Sequence, residues 1–186
     1  MRKPFVIVAL VALVACGGTS GPVEIPQEEL PFPVARAPGP VETPGPARTF
    51  TVYFTRGDRL IGARRAVKVA DAPSAEAALR ALLQGPSPRE VEQGVETQLP
   101  AAVRLLDLRI GPTSTHVDLS AEFQEPSPPE LIALRVAQVV WTLTEFPGIT
   151  AVRFSIDGEE IAVITAAGTA ADRPVERADY SAISPR

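Results

Sequence analysis

Residues 127–145 read SPPELIALRVAQVVWTLTE, and the spacing inside this stretch decides the fold. Leu131, Ile132, Leu134, Val136, Val139, Val140, Trp141 and Leu143 are apolar, while Arg135, Gln138, Thr142 and Glu145 fall three, four and three residues apart. On a helix that spacing gathers the polar side chains into one narrow stripe and leaves the remaining surface apolar, which predicts a helix buried around most of its circumference. Ser127-Pro128-Pro129-Glu130 has the capping-box spacing with proline at the first helical position, so the helix is expected to open there and run to about Glu145. Pro147-Gly148 then breaks it. A helix this apolar needs a sheet to cover it.

The flanking segments supply strands. Phe50, Val52 and Phe54 alternate with Thr51, Tyr53 and Thr55, Arg56-Gly57-Asp58-Arg59 reads as a turn, and Leu60 to Val69 as the returning strand. Ser74 is placed to cap a helix carrying Ala75, Ala78, Leu79, Leu82 and Leu83 on one stripe, which Gly85-Pro86 stops. Ser87-Pro88-Arg89-Glu90 repeats the capping-box spacing ahead of a turn or two that ends at Gly94. Leu106, Leu108 and Ile110 alternate, Gly111-Pro112-Thr113-Ser114 turns the chain, and Val117 and Leu119 alternate again. After the long helix, Val152, Phe154 and Ile156 form a strand, and Asp157-Gly158 is a tight-turn signal leading into Ile161 to Ile164. The order ββ, α, ββ, α, ββ predicts an α+β fold: a largely antiparallel sheet of about six strands with two main helices on one face. Thr165 to Arg186 is polar and Ala-rich, with Val175 and Tyr180 able to dock it loosely.

The N-terminal segment carries an address. Arg2 and Lys3 precede the uncharged apolar run Phe5 to Ala15, and Leu13-Val14-Ala15-Cys16 closes it with small residues before a cysteine. The run is too short to span a bilayer, which takes about 20 apolar residues, and fits a processed leader. The pattern resembles a bacterial lipoprotein signal peptide. That resemblance implies removal of residues 1–15 and acylation of Cys16 by diacylglyceryl and palmitate-type chains, which would hold the protein outside the cytoplasm on a bacterial cell membrane. Residues 16–48 hold eight prolines and read as a disordered tether, leaving 49–165 as the folded domain and 166–186 as a polar tail.

Composition removes several function classes. Cys16 is the only cysteine, which excludes an internal disulfide and a cysteine metal cluster. Loss of Arg2 and Lys3 with the leader takes the net charge from −4 to −6, so nucleic acid is not an expected partner. His116, Asp118 and Ser120 have the identities of a catalytic triad on one strand face. Their spacing of about 7 Å along a strand is incompatible with the contacts a triad needs. His116 and Asp118 alone are too few for a metal site, and Glu159-Glu160 or Asp118 with Glu122 give no readable carboxylate separation. Arg64, Arg65 and Lys68 form the one basic cluster, read as a strand edge kept soluble by charge. Trp141 reads as core. No catalytic residue, cofactor or metal is expected.

Several segments together resemble the GerMN domain, the sporulation and spore germination module. They are Val52-Tyr53-Phe54, Ala78 to Pro86, Gly94-Val95-Glu96-Thr97, Leu99-Pro100, Val117-Asp118-Leu119-Ser120, Gln138 to Thr144, and Val152-Arg153-Phe154 with Asp157-Gly158. The resemblance covers roughly residues 49–165. It implies a non-enzymatic interaction or assembly module on an exported, lipid-anchored protein, with an envelope protein or a second copy as partner; the alternative is a module that binds peptidoglycan or another wall glycan and positions a separate hydrolase. Family members with two modules resemble ring-building motifs, whereas this chain has one.

Overall fold

The computed structural model describes residues 47–68 and 74–185. The leader, Cys16 and nearly all of the tether lie outside the described residues.

The first hairpin pairs β1 (Ala47–Arg56) with β2 (Arg59–Lys68) through the two-residue turn Gly57-Asp58. Its Phe50, Val52 and Phe54 are buried as the alternation predicts. Tyr53 and Thr55 on the opposite face are buried as well, because the chain wraps the hairpin on more than one side. Tyr53 lies directly across from Gly62, where a Cβ would come within 3.0 Å of Thr51 Cγ2 and 3.6 Å of the Tyr53 ring. Helices α1 (Ser74–Leu83) and α2 (Pro88–Glu92) follow. The capping box at Ser87 and Glu90 is formed, and Gly85 ends α1 at φ 79°.

The second hairpin joins β3 (Leu105–Ile110) to β4 (Thr115–Leu119). A short 3-10 turn, Ala121–Gln124, leads to the long helix α3 (Pro129–Leu143), and α3 returns the chain to β5 (Val152–Ile156), which pairs parallel to β4. Parallel neighbours need such a crossover. The Asp157-Gly158 turn, with φ 48° and 86°, folds β6 (Glu159–Glu160) back on β5. The chain then leaves this sheet: β7 (Val163–Ile164) pairs with β8 (Ala170–Ala171).

The expected single sheet of about six strands is therefore corrected. The strands form a β1-β2 pair, a four-stranded β3-β4-β5-β6 sheet and a β7-β8 pair. The reason lies in the stripe on α3. The outward N–H of Tyr53 donates to Thr142 Oγ1 at 3.0 Å, Gln138 Nε2 donates to Tyr53 O at 3.1 Å, and Thr55 exchanges both backbone bonds with Glu96. Helix side chains and a loop occupy the edge of β1 where another strand would have paired.

Three of the four stripe residues are consequently buried as deeply as the apolar side of α3, and only Glu145 is exposed. Gln138 and Thr142 are fully enclosed and Arg135 nearly so. Arg135 donates to the carbonyls of Gln98, Phe123 and Glu125 and to Ser127 Oγ at 2.7 to 2.9 Å. The second capping box does not form, because Ser127 is spent on Arg135 and Pro128 takes the N-cap position. One continuous core joins the hairpin, α1, α3 and the inner face of the four-stranded sheet, with Phe123 stacked on Phe154 at 5.8 Å.

The C-terminal segment is part of this body. Val175 bridges Val152 with two backbone bonds of 2.9 Å, and Tyr180 is fully buried with its hydroxyl donating to Ile164 O. Arg177, in the 3-10 turn Arg177–Ile183, lies 4.4 Å from the Trp141 ring centroid and bonds Glu145 at 2.6 Å.

Candidate functional site

The outer face of the four-stranded sheet carries most of the chemistry-bearing residues singled out in the sequence. Cross-strand register places Asp107 and Arg109 of β3 beside Asp118 and His116 of β4, and these beside Ser155 and Arg153 of β5. Glu160 of β6 completes the row opposite Ser155. Alternation along each strand turns Val117, Leu119, Phe154 and Ile156 inward and leaves this row facing out.

His116, Asp118 and Ser120 are not brought together. Asp118 Oδ1 accepts the Gly158 N–H at 3.0 Å and so pins the β5–β6 turn to β4. Ser120 Oγ accepts the Arg104 N–H at 2.9 Å. His116 instead meets Ser155, with Nε2 2.7 Å from Ser155 Oγ, and Arg109 Nη2 lies 3.4 Å from His116 Nδ1. Sequence reasoning missed the Ser155 contact, because it depends on a parallel pairing that no local pattern announces.

A serine hydroxyl so close to an imidazole has the outline of a nucleophile and base, but the neighbouring arginine fixes the proton inventory. A guanidinium only donates, so in the tautomer that accepts from Arg109 at Nδ1, Nε2 carries the proton and donates to Ser155 Oγ. Ser155 is fully enclosed. Its oxygen thus has no access to substrate.

The charged residues of the face are paired among themselves: Arg109 with Asp107 at 2.7 Å and Arg153 with Glu160 at 2.9 Å. Among the described residues no group of three or more His, Cys, Asp or Glu side chains is placed to hold a metal. The basic cluster is also divided. Arg65 makes two bonds to Glu90, of 2.6 and 2.7 Å, and lies over the Phe54 ring, while Arg64 stays exposed; the side chain of Lys68 lies outside the described residues. Arg65, followed by Ser87, holds the Glu90 carboxyl down at about 2, against the cost of its burial. Trp141 is half-buried between Arg177 and Tyr53. Burial, and next the bond to Glu145, pushes the Tyr53 phenol up to about 12.

What the surface does offer is apolar area on β3. Leu106 and Ile110 are 46% and 51% exposed, and with Val91 they are the large hydrophobic side chains most open to solvent among the described residues. The alternation in the sequence predicted Leu106, Leu108 and Ile110 on the core face. A bulge between Leu105 and Asp107 hands the core position to Leu105 and turns Leu106 out, and Ile110 lies beyond the covered part of the sheet. The concavities are shallow by comparison. A hollow of about 460 Å³ is walled largely by alanines of the C-terminal segment, and one of about 180 Å³ lies between Phe123, Ile132 and Ile161.

No described helix is long and apolar enough to cross a membrane. No curated protein matches the chain. Among solved structures, the fold is similar to the tandem GerMN domains of the sporulation protein GerM from Bacillus subtilis, with a TM-score of 0.56 and 22% identity over 72% of this chain. The chain spans 48% of the length of that tandem. The first GerMN domain of the same protein is similar over 98% of its own length and 70% of this chain, with a TM-score of 0.52 and 23% identity. The family model for sporulation and spore germination matches residues 51–162, which take in both hairpins, α3 and the Asp157-Gly158 turn, and the chain belongs to this GerMN family.

Proposed function

We propose that the protein is a lipid-anchored component of a bacterial cell envelope whose single GerMN domain binds another protein rather than catalysing a reaction. The observation that carries this reading is the bonding of the outer sheet face. His116 is held against Ser155, Asp118 against the Gly158 N–H and Ser120 against the Arg104 N–H, so each residue with a catalytic identity is spent on holding strands and turns. The exposed Leu106 and Ile110 are suited to a partner, since apolar side chains at a strand edge gain by being covered.

Two experiments test the two halves. A Cys16→Ser chain is expected to leave the membrane fraction, and one that stays bound as firmly as the parent removes the anchor. Affinity capture from crosslinked, solubilised envelopes is expected to retrieve a reproducible protein partner or a second copy. If the chain instead co-sediments with wall sacculi at low salt and retrieves no protein, the ligand is wall glycan. The family description supports a link to sporulation or germination; deletion of the gene followed by counts of heat-resistant, germinating spores tests it, and unchanged counts remove it.

A further inference from the structure

The outer edge of β3 is open, and its sequence is self-complementary. Strand β3 ends the four-stranded sheet, so one row of its backbone groups has no strand beside it among the described residues. Two bonds identify that row. The Thr115 N–H points to Ala151 O, toward β5, and the Gly111 N–H closes the hairpin on Ser114 O. Alternation from there directs the backbone groups of Asp107 and Arg109 at β4 and those of Leu108 and Ile110 outward.

We propose that β3 pairs antiparallel with β3 of a second copy, about a two-fold axis at Leu108, to make one continuous sheet across two molecules. This names the partner of the interaction module proposed above and rests on that reading. Charge selects the register. With Leu108 opposite Leu108, Asp107 of each copy faces Arg109 of the other, and the two Leu108 residues exchange both backbone bonds. An axis at Asp107 or at Arg109 sets like charges opposite each other, and an axis between residues sets a charge against an apolar side chain.

The side chains are free to do this. Asp107 is 49% and Arg109 70% exposed; in the single chain they pair with each other, two residues apart on one strand, and Arg109 also lies 3.4 Å from His116 Nδ1. Two other edges are managed differently. β1 is closed by Gln138, Thr142 and Glu96, and the β6 edge is two residues long, both glutamates. The bulge in β3 lies before Asp107 and leaves 107–110 in regular pairing. A two-fold contact of this kind consumes its own edge, so it closes at two copies and does not propagate.

Sedimentation equilibrium of the full chain in mild detergent, taken to roughly millimolar because tethered copies meet at such effective concentrations, is the direct test. The parent is expected to form dimers. Asp107→Arg should weaken dimerisation by about tenfold or more, and the double exchange Asp107→Arg with Arg109→Asp should restore it, with unchanged circular dichroism throughout. In a Cys16→Ser background, mixing Asp107→Cys with Arg109→Cys chains should give a mixed disulfide faster than either chain alone, since directly opposed residues of a non-hydrogen-bonded pair lie about 4.5 Å apart. A chain that stays monomeric, or dimers indifferent to the charge reversal, overturn the pairing. If envelope capture still retrieves a different protein, the interaction module stands without this partner; if it retrieves nothing, both fail.

Discussion

Gln138 shows how a single side chain divides the sheet. Its amide donates to Tyr53 O at 3.1 Å and its carbonyl accepts the Gln98 N–H at 2.8 Å, so one residue satisfies a strand edge and a loop at once. The positions of this polar stripe were legible in the sequence, but its direction was not. Periodicity reports which residues share a face, and a buried polar face differs from a solvated one only in having backbone partners, which come from residues some forty to eighty-five positions away in the chain. Gln138→Leu keeps the volume and strands both groups, each costing about 1–3 kcal/mol, so urea denaturation should show a loss of about 2–6 kcal/mol. A loss under about 0.5 kcal/mol would mean the bonds do not matter.

Titration gives a second prediction at this scale. Tyr53 and Tyr180 are the only tyrosines, and burial raises both above the ordinary value, Tyr53 to about 12. A raised phenol pKa favours the neutral form in the folded state, so this contribution is whole below pH 10 and disappears as pH rises toward 12. Absorbance at 295 nm should therefore show no tyrosinate until the protein unfolds; a transition near pH 10 in the folded protein contradicts the burial of both rings. Glu90 works in the opposite sense. Its carboxyl is held at about 2 against 4.5, so stability is whole above pH 4.5 and falls between there and pH 2, and Glu90→Gln should flatten that limb of an acid-unfolding curve.

Turns were the elements most readable in advance, and of the two expected capping boxes the one at Ser87 forms and the one at Ser127 does not. Gly57-Asp58, Gly85, the Ser87 box and Asp157-Gly158 are set by residues next to one another, and each forms where the sequence indicates. Strand partners were less readable. Ile161 to Ile164 has the pattern of a strand, yet the pairing with β5 is carried by Glu159–Glu160 and ends in one bond from the Ile161 N–H to Phe154 O, and Val163 leaves to bury itself and pair with Ala171. The pattern fixes a half-buried strand without saying which neighbour it meets. The Asp157-Gly158 turn is where this departure is anchored, because the Gly158 N–H is held by Asp118. Gly158 sits at φ 86°, where a Cβ meets no neighbouring atom within 4 Å, so Gly158→Ala should cost about 1 kcal/mol through backbone strain alone. Asp118→Ala should cost less in that background than in the parent, because the turn it pins is already loosened; purely additive thermal shifts for the pair would show that bond and turn conformation are uncoupled.

The whole molecule extends past the family match. The match ends at residue 162, yet the chain beyond it places Val175 against Val152 and buries Tyr180 and Val163 in the common core. Polar, Ala-rich sequence gives little periodicity, so the few residues that dock it are spread thinly and its local pattern is that of a loose tail. Docking is nonetheless extensive. Arg177 stacks on Trp141 and bonds Glu145 and Thr144, Arg173 pairs with Asp179, and a Glu176–Asp179 box caps the last 3-10 turn. If the segment belongs to the cooperative unit, Tyr180→Ala should destabilise the protein by about 3–5 kcal/mol, the range for deleting a buried aromatic side chain, and ending the chain after Ala166 should do so by more. The expected signature is a single thermal transition, shifted to lower temperature in Tyr180→Ala and shifted further or lost in the truncated chain. A truncated chain that melts where the parent does would make the segment an independent appendage, and Arg177 would then hold a mobile strap against α3 rather than complete the core.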